Sequence, residues 1–257
     1  MLNFRFRICA VAQLALATLL AYPAPVAAQL RVLISGGFSV AYKDLLPQFE
    51  RTTGVSVDTA SGSSQGDGPT SIGVQLRSGA LFDVVILNTN GLADLMAQGR
   101  IIKGSERRLA QVQAGVSVRA GSAALEVSTA DALRQTLRQA KVIATSASAA
   151  NGVVAMLTRL GIADEVTVKV GARFSDANSM VERGEAALSI QTVSEILNMP
   201  GVQLGGTIPT SLRPAGTFVG AIFASTKRLD EAGRLLAFLA SEEARGAIEK
   251  AGMQQPR

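Results

Sequence analysis

Two serine-flanked turns carry the side chains best placed to act on a ligand. In the first, Ser35-Gly36-Gly37 separates an apolar run, Leu30 to Ile34, from a helical pattern. Phe38, Ala41, Tyr42, Leu45, Leu46 and Phe49 share one side of that pattern, and Ser35 and Ser39 flank the turn. Strand, glycine turn and helix in this order present backbone N–H groups at a helix N-terminus, which carries about +0.5 of an elementary charge and suits an anion. The structural alternative is that Gly36 and Gly37 only make the turn and the serines only cap the helix. The second turn, SASAANG, holds Ser146, Ser148 and Asn151 between an apolar strand and a helix, and repeats the arrangement. A polar loop at residues 62–71 adds the hydroxyls of Ser63, Ser64, Thr70 and Ser71, with solvated loop residues as the alternative. Gln191 closes the apolar stretch AALSIQ. Its amide N–H₂ can donate to a carboxylate or oxyanion, or be satisfied inside the core.

Residue types that are missing narrow the chemistry further. The chain has no histidine, which excludes a Ser-His-Asp triad, a Cys-His pair and a histidine-ligated zinc. Its single cysteine, Cys9, falls in an N-terminal segment that reads as a signal peptide. That segment has a basic start at Arg5 and Arg7, an apolar stretch from Ile8 to Tyr22 and a small-residue cleavage site at Val26-Ala27-Ala28. Removal of residues 1–28 leaves no thiol for a disulfide, a nucleophile or a metal. It also takes two of the 25 basic residues and none of the 20 acidic ones, so the remainder carries +3. This small excess is spread along the chain and does not suggest nucleic acid. Tryptophan is absent and Tyr42 is the only tyrosine after residue 28, which disfavours an aromatic sugar platform.

The elements that must position these groups alternate. Strand patterns are expected at Gly54–Ser61, Leu81–Asn88, Gly115–Gly121, Lys141–Ser146, Val166–Val170, Ala186–Gln191 and Phe218–Ser225. Helices are expected from Ile72 to Gly79, Gly91 to Gly99, Thr129 to Gln139, Val153 to Leu160, Ala177 to Arg183, Thr192 to Asn198, Asp230 to Phe238 and Ser241 to Lys250. Gly205 to Pro214 reads as a linker. Strands separated by helices without hairpin signals argue for a parallel α/β architecture.

The order and spacing of five stretches carry a resemblance that covers nearly all of residues 29–257. They are SGGFSVAYKDLLPQFERTTGVSV, LRSGALFDVVILNTNGLADLMAQGRI, KVIATSASAANGVVAMLTRLGI, MVERGEAALSI and RLLAFLASEEARGAIEKAGM. In these the chain resembles the periplasmic molybdate-binding-protein-like family of ABC-importer solute-binding proteins. The resemblance implies a type II periplasmic-binding fold, with two α/β lobes, each a mainly parallel sheet flanked by helices, joined by two crossover strands. It places residues 29–115 and 217–257 in lobe 1 and residues 116–216 in lobe 2, with a ligand held between them. The family holds an oxyanion without counter-charge, by serine hydroxyls and backbone N–H groups. Its first serine falls at Gly37 here, and its second in the loop 61–71, which is longer than usual. Its backbone sites in lobe 2 fall at Asn151 and near Phe174, and its tyrosine hydroxyl falls at Gln191. Arg119 and Arg173 fall near the expected cleft edges and could pair with a ligand carboxylate.

The sequence therefore reads as a periplasmic binding protein that captures a small anion, either a molybdate- or tungstate-like oxyanion or a small organic acid. On this reading it is a monomer that hands its ligand to an inner-membrane ABC permease, does no chemistry on it and needs neither cofactor nor metal. Two rivals stand beside it. One is an exported serine hydrolase with a Ser-Lys pair, for which Lys43, Lys141 and Lys169 are the nearest lysines. The other is a sensory module that uses the same cleft.

Overall fold

The computed structural model describes residues 29–213 and 215–256, so the predicted signal segment lies outside the described residues. The first half of the chain runs β1 (Leu30–Ser35), α1 (Ser39–Thr53), β2 (Val57–Gly62), α2 (Ile72–Arg77), β3 (Val84–Asn88), α3 (Thr89–Ala97) and β4 (Arg107–Val112). Then come β5 (Ala114–Arg119), α4 (Ala130–Ala140), β6 (Val142–Ser146), α5 (Ala147–Leu160), β7 (Thr167–Gly171), α6 (Phe174–Glu182), β8 (Leu188–Thr192), α7 (Val193–Leu197) and β9 (Val202–Thr207). The chain ends with β10 (Gly216–Ile222), α8 (Leu229–Leu239) and α9 (Arg245–Lys250).

These strands form two five-stranded sheets, in the orders β2-β1-β3-β10-β4 and β7-β6-β8-β5-β9. In the first sheet β1 pairs in parallel with β2 and β3, and β10 runs antiparallel to β3 and β4. In the second, β6 pairs in parallel with β7 and β8, and β5 runs antiparallel to β8 and β9. Each sheet thus has four strands in one direction and one reversed. The reversed strands are the ones the chain enters as it passes between sheets, after Gln113 and after residue 215.

Strand periodicity explains why both faces of the first sheet are covered. Leu30, Val32 and Ile34 of β1 pack with Phe38, Tyr42, Leu45 and Phe49 of the α1 region and with Leu235, Leu236 and Leu239 of α8. Leu33, between them, faces the other way, with Ile72, Leu76, Leu92 and Leu95 of α2 and α3. Successive strand side chains point to opposite faces, so a strand buried on both sides reads as a continuous apolar run. The second sheet repeats the scheme, with Ile143 and Ile190 against Leu133, Leu137, Val153 and Leu157 of α4 and α5, and Ala144 against Ala177 and Val181 of α6. Each fully buried Leu, Ile or Phe contributes about 1.5–3 kcal/mol. The Tyr42 hydroxyl shares a 3.0 Å hydrogen bond with Thr59 Oγ1, tying α1 to β2, and burial pushes its phenol up to about 12.

Several element boundaries differ from the sequence reading. Helix α5 starts at Ala147 rather than Val153, because alanine and serine continue the helix once Ser146 takes the extended N-cap conformation. Ser148 and Asn151 therefore sit in the first turns of α5 rather than in a loop before it. Strands β4 and β9 were not expected. Arg107, Arg108 and Gln111 interrupt the apolar pattern of β4, and Gly205 and Gly206 give the end of β9 the composition of a linker.

Candidate functional site

A cleft of about 680 Å³ opens where strand ends of the two sheets meet. Ser35 ends β1, Gly62 ends β2, Asn88 ends β3 and Thr192 ends β8, and all four line it. Open α/β sheets place ligands at the carboxyl ends of their strands for this reason: helix N-termini and strand-end loops converge there.

The two halves touch across this cleft at several points. The Phe174 ring rests against Gly36, so that a Cβ on Gly36 would lie 2.3 Å from its Cε1. Arg173 Nε donates to Thr70 Oγ1 at 3.3 Å. Gly66 lies beside Ala147, whose Cβ would be 3.2 Å from a Cβ at residue 66.

Polar groups on the first-sheet side start with Ser35. Its hydroxyl is buried, lines the cleft and has no hydrogen-bond partner among the described residues. Ser39 donates to Gly36 O at 2.6 Å, so its proton serves the turn itself. Ser64 Oγ accepts from Asn88 N–H at 3.2 Å, while Asn88 Oδ1 accepts from Gly91 N–H at 2.8 Å and caps α3.

On the second-sheet side the cleft holds two groups that the sequence did not single out. Glu195, in the first turn of α7, lines the cleft, and its Oε2 accepts from Thr192 N–H at 3.3 Å. Burial raises the Glu195 carboxyl above the ordinary carboxylate range, against the opposing effects of the Thr192 hydrogen bonds and the Arg213 charge. The Glu195 carbonyl accepts from Asn178 Nδ2 at 3.4 Å. Asn178 Oδ1 in turn receives the Ser117 and Ser189 hydroxyls at 3.0 and 2.7 Å, so a buried polar cluster fixes the base of α7.

Arg213 is the second group. Burial lowers its guanidinium and Glu195 partly offsets that, but an arginine stays protonated in any case. Among the described residues no ion pair joins it to Glu195, and its Nη1 is buried without a hydrogen-bond partner. The segment before it is held by Arg159 Nη1, which donates to Leu212 O at 2.9 Å. Gly152 leaves the guanidinium room, since a Cβ there would stand 3.1 Å from Nη1.

The structure brings Ser35, Ser39, Ser63, Ser64, Ser148, Asn151, Phe174 and Arg173 together as lining residues. Other candidates lie elsewhere. Gly37 is covered by Phe218, whose Cζ would be 2.3 Å from a Cβ at residue 37. Thr70 sits at the contact with Arg173. Ser71 caps α2, its Oγ accepting from Val74 N–H at 3.3 Å. Gln191 is buried behind the wall, with Oε1 accepting from Ser146 Oγ at 3.1 Å and Nε2 without a partner among the described residues. Arg119 lines a separate depression with Val118, Ser122 and Gly184. Lys43, Lys141 and Lys169 are not among the cleft residues.

No sequence signal separated Glu195 and Arg213 from structural residues. Thr192-Val193-Ser194-Glu195 has the capping-box spacing of an ordinary helix start, and Arg213 stands in a stretch rich in glycine and proline.

A family model described as bacterial extracellular solute-binding protein matches residues 30–254. A curated relative, the aconitate isomerase of a Pseudomonas species, is 33% identical over 228 residues, covering 88% of this chain and 87% of the relative. Among solved structures, the periplasmic molybdate-binding protein of Azotobacter vinelandii is similar with a TM-score of 0.72 at 22% identity, over 89% of this chain and 100% of that one. The sulfate-binding protein SubI of Mycobacterium tuberculosis gives 0.64 at 18% identity, over 88% and 86%. At these identities the structural likeness speaks for the fold.

Proposed function

This chain belongs to the bacterial extracellular solute-binding protein family, and from that premise we propose that its cleft holds a small organic polycarboxylate, with aconitate as the leading candidate. The observation that carries this reading is Arg213 at the wall of the cleft, whose buried Nη1 has no hydrogen-bond partner among the described residues. A guanidinium with a buried N–H that lacks a protein acceptor is matched by a carboxylate, which it can grip through two parallel N–H···O bonds. An oxyanion held by neutral hydroxyl and amide donors alone has no use for it. The cleft volume of about 680 Å³ also suits an organic molecule better than a single tetrahedral ion. Arg173 at the rim, Ser35 and the N-terminal turns of α1 and α5 supply further donors. The protein would act in the periplasm, deliver its ligand to an ABC permease, and close by a hinge between its halves.

A second reading is favoured by Glu195 and by the name of the Pseudomonas relative: the cleft converts its ligand as well as holding it.

The test of the first reading is a thermal-shift series with cis- and trans-aconitate, citrate, succinate, molybdate, tungstate, sulfate and phosphate. A ligand at 100 times its Kd adds about 2.7 kcal/mol. Stabilisation by tricarboxylates and not by the tetrahedral anions is expected; the reverse order would overturn the carboxylate assignment.

A further inference from the structure

Resting on the polycarboxylate reading, we infer that Glu195 moves a proton on the bound ligand, taking it from one carbon and returning it to another, with Arg213 holding the carboxylate on which charge builds. The geometry is specific. Glu195 enters the cleft from the first turn of α7 with its Oε2 held by Thr192 N–H. Its main chain is fixed from behind by Asn178. Arg213 lines the same cleft, and among the described residues it forms no ion pair with this carboxyl. A carboxylate that serves only to cap a helix does not need to line a ligand cleft beside an unpartnered arginine.

In an aconitate-type substrate a CH₂ is flanked by a carboxylate and by a carbon–carbon double bond. Removal of a proton from that CH₂ breaks a C–H bond and leaves its electron pair in an allylic carbanion, spread over three carbons and the adjoining carboxylates. Protonation of the far carbon forms a new C–H bond and moves the double bond along. The geometry about the new double bond is set by the conformation in which the cleft holds the carbanion. One proton leaves and one returns, so no oxidant, reductant or cofactor is consumed. Glu195 accepts the first proton and supplies the second, and Arg213 stabilises the negative charge where it develops. Burial makes the Glu195 carboxylate more basic than an exposed one, in the direction a carbon acid requires.

The test follows the ligand in D₂O by proton NMR, starting from each aconitate isomer, with calorimetric titration of the same samples. The wild type is expected to interconvert the isomers and to exchange their CH₂ hydrogens. E195Q is expected to lose both by at least about a hundredfold. Its affinity should hold or rise, because a negative charge is removed from an anion site. Binding heat without exchange or interconversion in the wild type overturns the proton transfer and leaves the ligand reading standing. So does undiminished exchange in E195Q. Absence of heat with either isomer removes the ligand reading, and this inference with it.

Discussion

The Phe174 ring lies over Gly36, with Cε1 and Cδ1 only 2.3 and 2.9 Å from where a Cβ on residue 36 would stand. The two residues follow strands of different sheets, so this contact is one of the places where the halves meet. A side chain at residue 36 can be accommodated only if the ring moves or the cleft opens. Gly36→Ala is therefore expected to weaken ligand binding about tenfold, while the free protein, which can relieve the overlap by opening the cleft, loses no more than the about 1–3 kcal/mol of ordinary overpacking. Phe174→Ala in the same chain should absorb most of the Gly36→Ala effect, and a double-mutant cycle measured by calorimetry checks this. Additive losses would show that the contact does not govern closure.

Arg213 should matter for binding more than for folding. Truncating one partner of a buried, hydrogen-bonded charge pair costs about 2–5 kcal/mol, so Arg213→Ala is expected to lower affinity for a polycarboxylate by about a hundredfold or more. Arg213→Lys should recover part of it, because a point charge replaces a planar fork. Removal of a cation whose buried Nη1 has no partner among the described residues should leave the free protein's melting temperature unchanged or raised. Equal affinity in Arg213→Ala would remove the residue from the site.

The resemblance puts Gly37 at a serine position of the family, and the space a side chain would need there is occupied. The Phe218 ring fills that space and leans on Phe38, with ring centroids 6.2 Å apart. Gly37→Ser is expected to destabilise the protein by about 1–3 kcal/mol through overpacking, measured by denaturant unfolding. It should not create molybdate affinity, since the new hydroxyl would meet an aromatic ring before it met a ligand.

Burial holds the Glu195 carboxyl above its ordinary value of 4.5 in the folded protein. Above 4.5 the unfolded chain has released this proton while the folded one still binds it. Stability from this group is thus full at low pH and is lost as pH rises from 4.5 through the raised folded value. Arg213, the charged group whose field reaches it, narrows this window and does not reverse it. The difference in unfolding free energy between wild type and E195Q should therefore shift in favour of E195Q as pH rises across that window. A flat difference would mean that Glu195 is ordinary in its titration.

Much of this architecture was legible in the residues. Leu30–Ile34 and Val84–Leu87 are apolar almost without interruption because both faces of their sheet are covered, and Gly54 and Gly161 end their helices in the left-handed conformation that glycine favours. The reversed strands were not readable as such, because β5 and β10 pair with strands distant in the chain and leave no hairpin signal. Residues of both serine turns line the cleft. What the turns could not give was which side chains face inward. Thr70, Ser71 and Gln191 have the same polar character as Ser63, Ser64 and Ser148, and only the three-dimensional packing separates a cap or a buried amide from a lining group. Glu195 and Arg213 come close only because α7 and the segment returning toward β10 are folded against the same cleft, 18 residues apart in number and with β9 between them.

The central claim is that this cleft takes a polycarboxylate through Arg213. It is tested most directly by calorimetric titration of the protein with aconitate and, in parallel, with molybdate. The expected result is saturating one-to-one binding of an aconitate isomer, lost in Arg213→Ala, with no displacement by molybdate. Saturable molybdate binding that persists in Arg213→Ala, with no heat from either aconitate isomer, would contradict it.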